Sequence, residues 1–133
     1  LQFEIADYSI KTNKKLGSKI YSKLYNLSKS NKKNAKTKSI TIIIDATKNK
    51  NATAKDNAGK VLEYSIILIS NIIINDYLTD DEILNQTFSY SSTYKVQDLY
   101  SETIKLENKS IKNLINKTYQ DLLIKISHII RTK

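Results

Sequence analysis

The sequence predicts an α+β fold: a two-layer sandwich of β-α-β-β-β-α order, with a four-stranded, mostly antiparallel sheet carrying two helices on one face. Three observations predict it. The apolar period changes from two to about 3.6 after residue 12, returns to two between residues 39 and 94, and changes again to the C-terminus. The longest strand expected, 61–75, and the longest helix expected, 98–130, both span roughly 50 Å at about 3.3 and 1.5 Å per residue, so they can lie along each other. No Pro and only two Gly interrupt the chain, and no linker or internal repeat divides it, so residues 1–133 are expected to form one domain.

Each element follows from its residues. Residues 2–10 put Phe3 and Ile5 on one face of a short strand. In residues 13–29, Leu16, Ile20, Leu24 and Leu27 recur at helical spacing, and Lys15, Lys19 and Lys23 lie one position back, where a solvated face is the default. Residues 30–38 lack periodicity and predict a loop. Residues 39–48 are β-branched, with Ile40, Ile42, Ile44 and Ala46 on one face. Residues 49–59 predict a flexible connection closed by a turn at Asp56-Asn57-Ala58-Gly59.

In residues 61–75, Leu62, Tyr64, Ile66, Leu68, Ile72 and Ile74 form the core row. Residues 76–82 predict an acidic turn. Residues 83–94 alternate, with Leu84, Phe88, Tyr90 and Tyr94 inward. Asp98 offers an N-cap to the last helix. Its stripe is Ile104, Ile111, Ile115, Thr118, Leu122, Ile126 and Ile129.

Composition removes most catalytic classes. With no Cys there is no disulfide, thiolate zinc site or cysteine nucleophile. One His, His128, argues against a histidine metal site or a catalytic triad. Two Gly cannot build a phosphate-binding glycine loop. Asp80, Asp81 and Glu82 lack the spacing of a calcium loop. No enzyme activity, metal or cofactor is expected. The longest apolar runs, Ile66–Ile69 and Ile72–Ile74, are far shorter than the roughly 20 residues of a membrane helix. The chain opens on Leu1, not Met, and so reads as trimmed, with any signal peptide or lipid anchor upstream.

The net charge of +9 is uneven: residues 11–60 alone carry +12. Such a segment suits phosphate, in nucleic acid, anionic lipid or a phosphorylated glycolipid. All but one of the 22 basic residues are Lys, which disfavours sequence-specific base reading. AT-rich coding also writes Lys, Asn and Ile by default, so the charge has two competing origins. Lys48, Lys50, Lys55 and Lys60 gather around the 49–59 connection. On the sheet face opposite the core, Ile43, Ile67, Ile69 and Ile73 stand among Thr, Ser, Asn and Asp, where a free face should be mostly polar. Either a loop such as 49–59 covers these Ile, or they form an exposed stripe that meets a partner or an acyl chain.

Ala54-Lys55, then Glu63-Tyr64-Ser65-Ile66-Ile67-Leu68, then Phe88-Ser89-Tyr90-Ser91 with Tyr94, a Tyr100-x-Glu102 helix start and Leu122-Leu123-Ile124-Lys125-Ile126 carry a resemblance through most of the chain. In order and texture the sequence resembles the lipopolysaccharide-assembly lipoprotein LptE family, especially its shorter alphaproteobacterial-type members. The family's lipidated Cys is absent, as expected of a chain trimmed past its anchor. The resemblance implies a lipid-anchored protein on the periplasmic side of the outer membrane. It would plug the LptD β-barrel and bind lipopolysaccharide, with no nucleic acid as partner. By position Lys55 matches the family's basic loop residue, with Lys60 second and Lys50 and Lys95 weaker.

A different class competes. The element order and positive charge also resemble ribosome-associated hibernation factors, which bind ribosomal RNA, with Tyr21 and Tyr25 available for base stacking. The last helix, however, sets Lys105, Lys109, Lys112, Lys117 and Lys125 against Glu102, Glu107 and Asp121. A periplasmic adaptor of unassigned partner is the third reading.

Overall fold

The computed structural model describes residues 2–30 and 37–132, with side chains through Ile129. The elements are β1 (Phe3–Thr12), α1 (Lys14–Ser30), β2 (Lys38–Lys55), β3 (Val61–Asp76), β4 (Glu82–Lys95) and α2 (Tyr100–Thr132). The predicted order and α+β sandwich are therefore observed. Of the loop expected at 30–38, residues 31–36 lie outside the described residues.

The sheet order is β1-β2-β3-β4, which is also chain order. The two hairpin-linked pairs, β2–β3 and β3–β4, are antiparallel. β1 and β2 are parallel, because α1 carries the chain back to the starting end of the sheet. Register on β3 follows the period-two pattern: Ile66, Leu68, Ser70, Ile72 and Ile74 are all buried beneath the helices. Opposite them lie Leu16, Ile20 and Leu24 of α1 and Leu114, Ile115, Leu122 and Ile126 of α2, in one continuous core.

The β1–α1 junction is tight. Thr12 takes a left-handed φ of 67°, unusual for a β-branched residue, and its hydroxyl donates to Asp45 at 2.6 Å. Asn13 caps α1: its side-chain oxygen accepts the Leu16 N–H at 3.1 Å and its carbonyl accepts the Gly17 N–H at 3.0 Å. A Cβ on Gly17 would stand 2.5 Å from Ile10 Cγ2, so only glycine lets the helix approach β1 this closely.

Three expectations need correction. First, 49–55 is not a flexible connection. β2 runs on to Lys55, paired with β3 as far as Lys55↔Val61, with bulges around Ala54. Its Asn and Ala residues have weak strand propensity, but the long β3 offers them a backbone ladder. The turn at Asp56–Gly59 is where it was expected: Asp56 Oδ1 accepts the Ala58 and Lys60 N–H groups at 2.9 Å, and Gly59 has φ 85°.

Second, Asp98 does not cap α2. The helix begins at Tyr100, with the Leu99 carbonyl accepting the Glu102 and Thr103 N–H groups. Third, the buried face of α2 is rotated at its start. Thr103, Ser110 and Leu114 are buried, while Ile104, Ile111 and Ile129 lie at the core margin. Thr103 turns inward because its hydroxyl accepts the Gln97 N–H at 2.8 Å.

Candidate functional site

The sheet projects past the helices at one end. β1 pairs with β2 only as far as Ala46, and residues 48–60 are all exposed. The result is an arm, three-stranded as far as the Glu63–Lys95 pair and a two-stranded hairpin beyond it, with a lysine-bearing tip. Lys55 and Lys60 flank its turn, where the Asp56 N–H donates to the Lys60 carbonyl at 2.9 Å. Lys95 ends β4 opposite Glu63, which in turn faces Ala54. Lys55, Lys60 and Lys95 thus occupy one end of the molecule, exposed.

Apolar side chains that the sequence did not mark share that end. Leu62, expected in the core row, is 45% exposed, because no helix residue reaches over it. Leu99 and Tyr100, at the β4–α2 junction, are 65% and 79% exposed. The junction is tied to the arm by the Val96 N–H, which donates to the Leu62 carbonyl at 2.9 Å. The available signal was geometric: Leu62 lies only three residues past the turn, too far out for a helix to cover.

Lys50 stands apart from the tip lysines. It lies in β2 opposite Ile66, on the helix-bearing side. Its ammonium is 2.8 Å from Glu107 Oε1 and 4.3 Å from the centroid of the Tyr64 ring. Tyr94 donates to the same Glu107 oxygen at 2.7 Å. Burial pushes the Glu107 carboxyl up, but hydrogen bonds from Lys50 and Tyr94 outweigh it and hold the group below its ordinary value. The hydrogen bond to Glu107 raises Lys50 above its own. A second pair lies further along α2. Tyr90 donates to Asp121 and carries Lys117 over its ring at 4.9 Å. Burial and then that carboxylate push the Tyr90 hydroxyl up to about 12.

The opposite sheet face carries the four Ile. Ile43 and Ile73 are directly paired across β2 and β3. Ile67 and Ile69 face Ser91 and Ser89 of β4. All four are half-buried. Segment 49–55 continues the sheet instead of folding over them, so it is not the covering loop considered from sequence. Asn71 interrupts the row and donates to Asn85 and Thr87 at 3.2 and 3.0 Å. His128 and the carboxylates of residues 80–82 are exposed, and among the described residues no cluster of three metal-ligating side chains occurs. Among the described residues no helix is long and apolar enough to cross a membrane.

No protein-family model matches the sequence, and no curated protein does. Solved structures do. The chain is similar to the rare lipoprotein B from Shewanella oneidensis at a TM-score of 0.67 and 12% identity, over 96% of this chain and 95% of that one. It is similar to a minor lipoprotein from Acinetobacter baumannii at 0.65 and 13%, over 96% and 90%. Lipoprotein B from Nitrosomonas europaea gives 0.60 and 16%, over 92% and 82%. The chain shares the fold of these lipoproteins. The likeness spans 92–96% of this chain and 82–95% of those, so it extends over the domain as a whole.

Proposed function

We propose that this protein is a non-enzymatic, LptE-type component of outer-membrane lipopolysaccharide assembly, lipid-anchored on the periplasmic side when full length. It binds lipopolysaccharide and seats its sheet inside an LptD-like β-barrel. The similar structures are themselves lipoproteins by name, which supports a lipoprotein role alongside the sequence resemblance. The observation that carries it is the arm end. Lys55, Lys60 and Lys95 stand beside exposed Leu62, Leu99 and Tyr100, a pairing that suits phosphates joined to acyl chains. Lys50, already bound to Glu107, holds the base of the arm against α2. The half-exposed row Ile43, Ile67, Ile69 and Ile73 is the surface offered to the barrel wall.

The ribosomal reading has less support. Tyr21 stacks on Tyr8 at 4.0 Å and Tyr25 lies 6.0 Å from Tyr21, so these rings contact each other where free base platforms would be needed.

The experiment is a binding titration with lipopolysaccharide using wild-type protein and Lys55→Glu/Lys60→Glu, with Ile43→Asp/Ile69→Asp assayed for co-purification with the barrel. The lysine variant is expected to keep its melting temperature and lose about tenfold in affinity. Unchanged affinity in the folded variant removes the site. Barrel association unaffected by the Ile variant removes the docking face.

A further inference from the structure

A second basic site lies away from the arm tip. Between α1 and α2 runs a groove of about 760 Å³ floored by Leu16, Ile111 and Ile115. Three elements place lysines on it: Lys15, Lys19 and Lys23 from α1, Lys48 from β2 and Lys112 from α2. Sequence periodicity made the α1 lysines a solvated face. The fold instead brings lysines of two other elements to join them.

The positive charge of this groove is not balanced within the described residues. Glu107 is the only acid lining it, and its Oε1 already accepts Lys50 and Tyr94. Lys15, Lys19 and Lys112 have no ion-pair partner among the described residues. Lys15, Lys19 and Lys23 repeat at i, i+4, a spacing at which like charges repel. The first turn of α1 holds no acid, although the helix dipole favours acids there and opposes lysines. Lys23 reaches across to lie 5.7 Å from the centroid of the Tyr119 ring on α2.

We propose that this groove binds a ligand carrying at least two phosphate groups. From Lys15 to Lys23 the rim runs about 12 Å along α1 at about 1.5 Å per residue, longer than one phosphate spans. Lysine ammoniums meet phosphate as point charges, without the paired geometry arginine requires. Ser18, Ser22, Asn108 and Asn116 add neutral donors. Phosphate concentrates charge and acceptor oxygens more densely than carboxylate, which matches a lining rich in donors. Lys55 and Lys60 do not line the groove, so the proposal stands independently of the arm-tip site.

The test is an NMR titration of the labelled wild-type chain with two probes. One is inositol hexakisphosphate. The other is phosphatidylcholine vesicles containing phosphatidylinositol bisphosphate. Saturable binding is expected, with shifts centred on residues 15–23 and 108–116. Lys19→Glu/Lys112→Glu, both exposed positions, should lower affinity at least tenfold, and Lys11→Glu/Lys125→Glu, exposed and outside both the groove and the arm tip, should leave it within twofold. Binding of the soluble probe assigns a soluble phosphorylated ligand, and binding of vesicles alone assigns a lipid headgroup. Absence of saturable binding, shifts confined to the arm tip, or equal loss in both variants overturns the proposal.

Discussion

Lys50 of β2 and Glu107 of α2 form an ion pair at 2.8 Å that ties the base of the arm to the start of the long helix. The partners are unequally covered: the Lys50 side chain is 40% exposed and that of Glu107 15%. Removing the lysine therefore leaves a mostly buried carboxylate that still accepts from the Tyr94 hydroxyl. Lys50→Ala is expected to cost about 1–2 kcal/mol, below the full penalty for a buried charge because the lysine is part-solvated. A Lys50→Ala/Glu107→Gln double-mutant cycle by urea denaturation checks this. Additive effects would show that the pair is not coupled.

The same carboxylate makes stability depend on acid. Glu107 titrates below its ordinary value of 4.5 in the folded chain, so the folded state binds fewer protons than the unfolded one. Its contribution is complete above about pH 4.5 and disappears as the pH falls through the lower folded value. Denaturation midpoints between pH 7 and 3 should fall less steeply for Glu107→Gln than for the wild type. Parallel curves would assign the acid sensitivity elsewhere.

Gly17→Ala should destabilise the domain by about 1–3 kcal/mol, the usual range for overpacking. The added methyl meets Ile10 Cγ2 at 2.5 Å. Ile10→Ala in the same chain removes that contact, so the double variant should melt higher than the sum of the two single losses predicts. A simple sum would mean that helix propensity or the surrounding core, and not Ile10, sets the requirement for glycine.

Ser70 is fully buried at the centre of β3, between Ala46 and Phe88 in the pairing, and its hydroxyl has no hydrogen-bond partner among the described residues. A buried hydroxyl without a partner opposes folding. Ser70→Ala should therefore raise stability, by about 1 kcal/mol, measurable as a higher melting temperature. A lower one would reveal a partner for this hydroxyl.

The sequence made the layers legible because β4 alternates, β3 is a long β-branched run between two turns, and α1 keeps one apolar stripe. The arm was harder. Lys48-Asn49-Lys50-Asn51 has no apolar strand pattern, since all four residues are exposed and Lys50 meets α2 through the Glu107 carboxylate. The usable signal was the pairing rule: a turn at Asp56–Gly59 followed by the sixteen residues of β3 calls for an antiparallel partner running back through 49–55. Thr103 and Ser110 were missed because small polar residues leave no apolar trace, although they let α2 lie close to the end of β4. Lys50–Glu107 and the groove lysines were hidden for another reason. Each depends on side chains from separate elements, and spacing along the chain does not report which faces will meet.

The tip of the arm, residues 51–60, keeps its shape through main-chain hydrogen bonds, with every residue exposed and no core side chain of its own. Its residues can then be exchanged with little effect on whether the domain folds, apart from the turn at Asp56 and Gly59. New contacts at the tip can be tried by substitution while the core is left untouched, which makes this arm the part of the molecule most open to change of specificity.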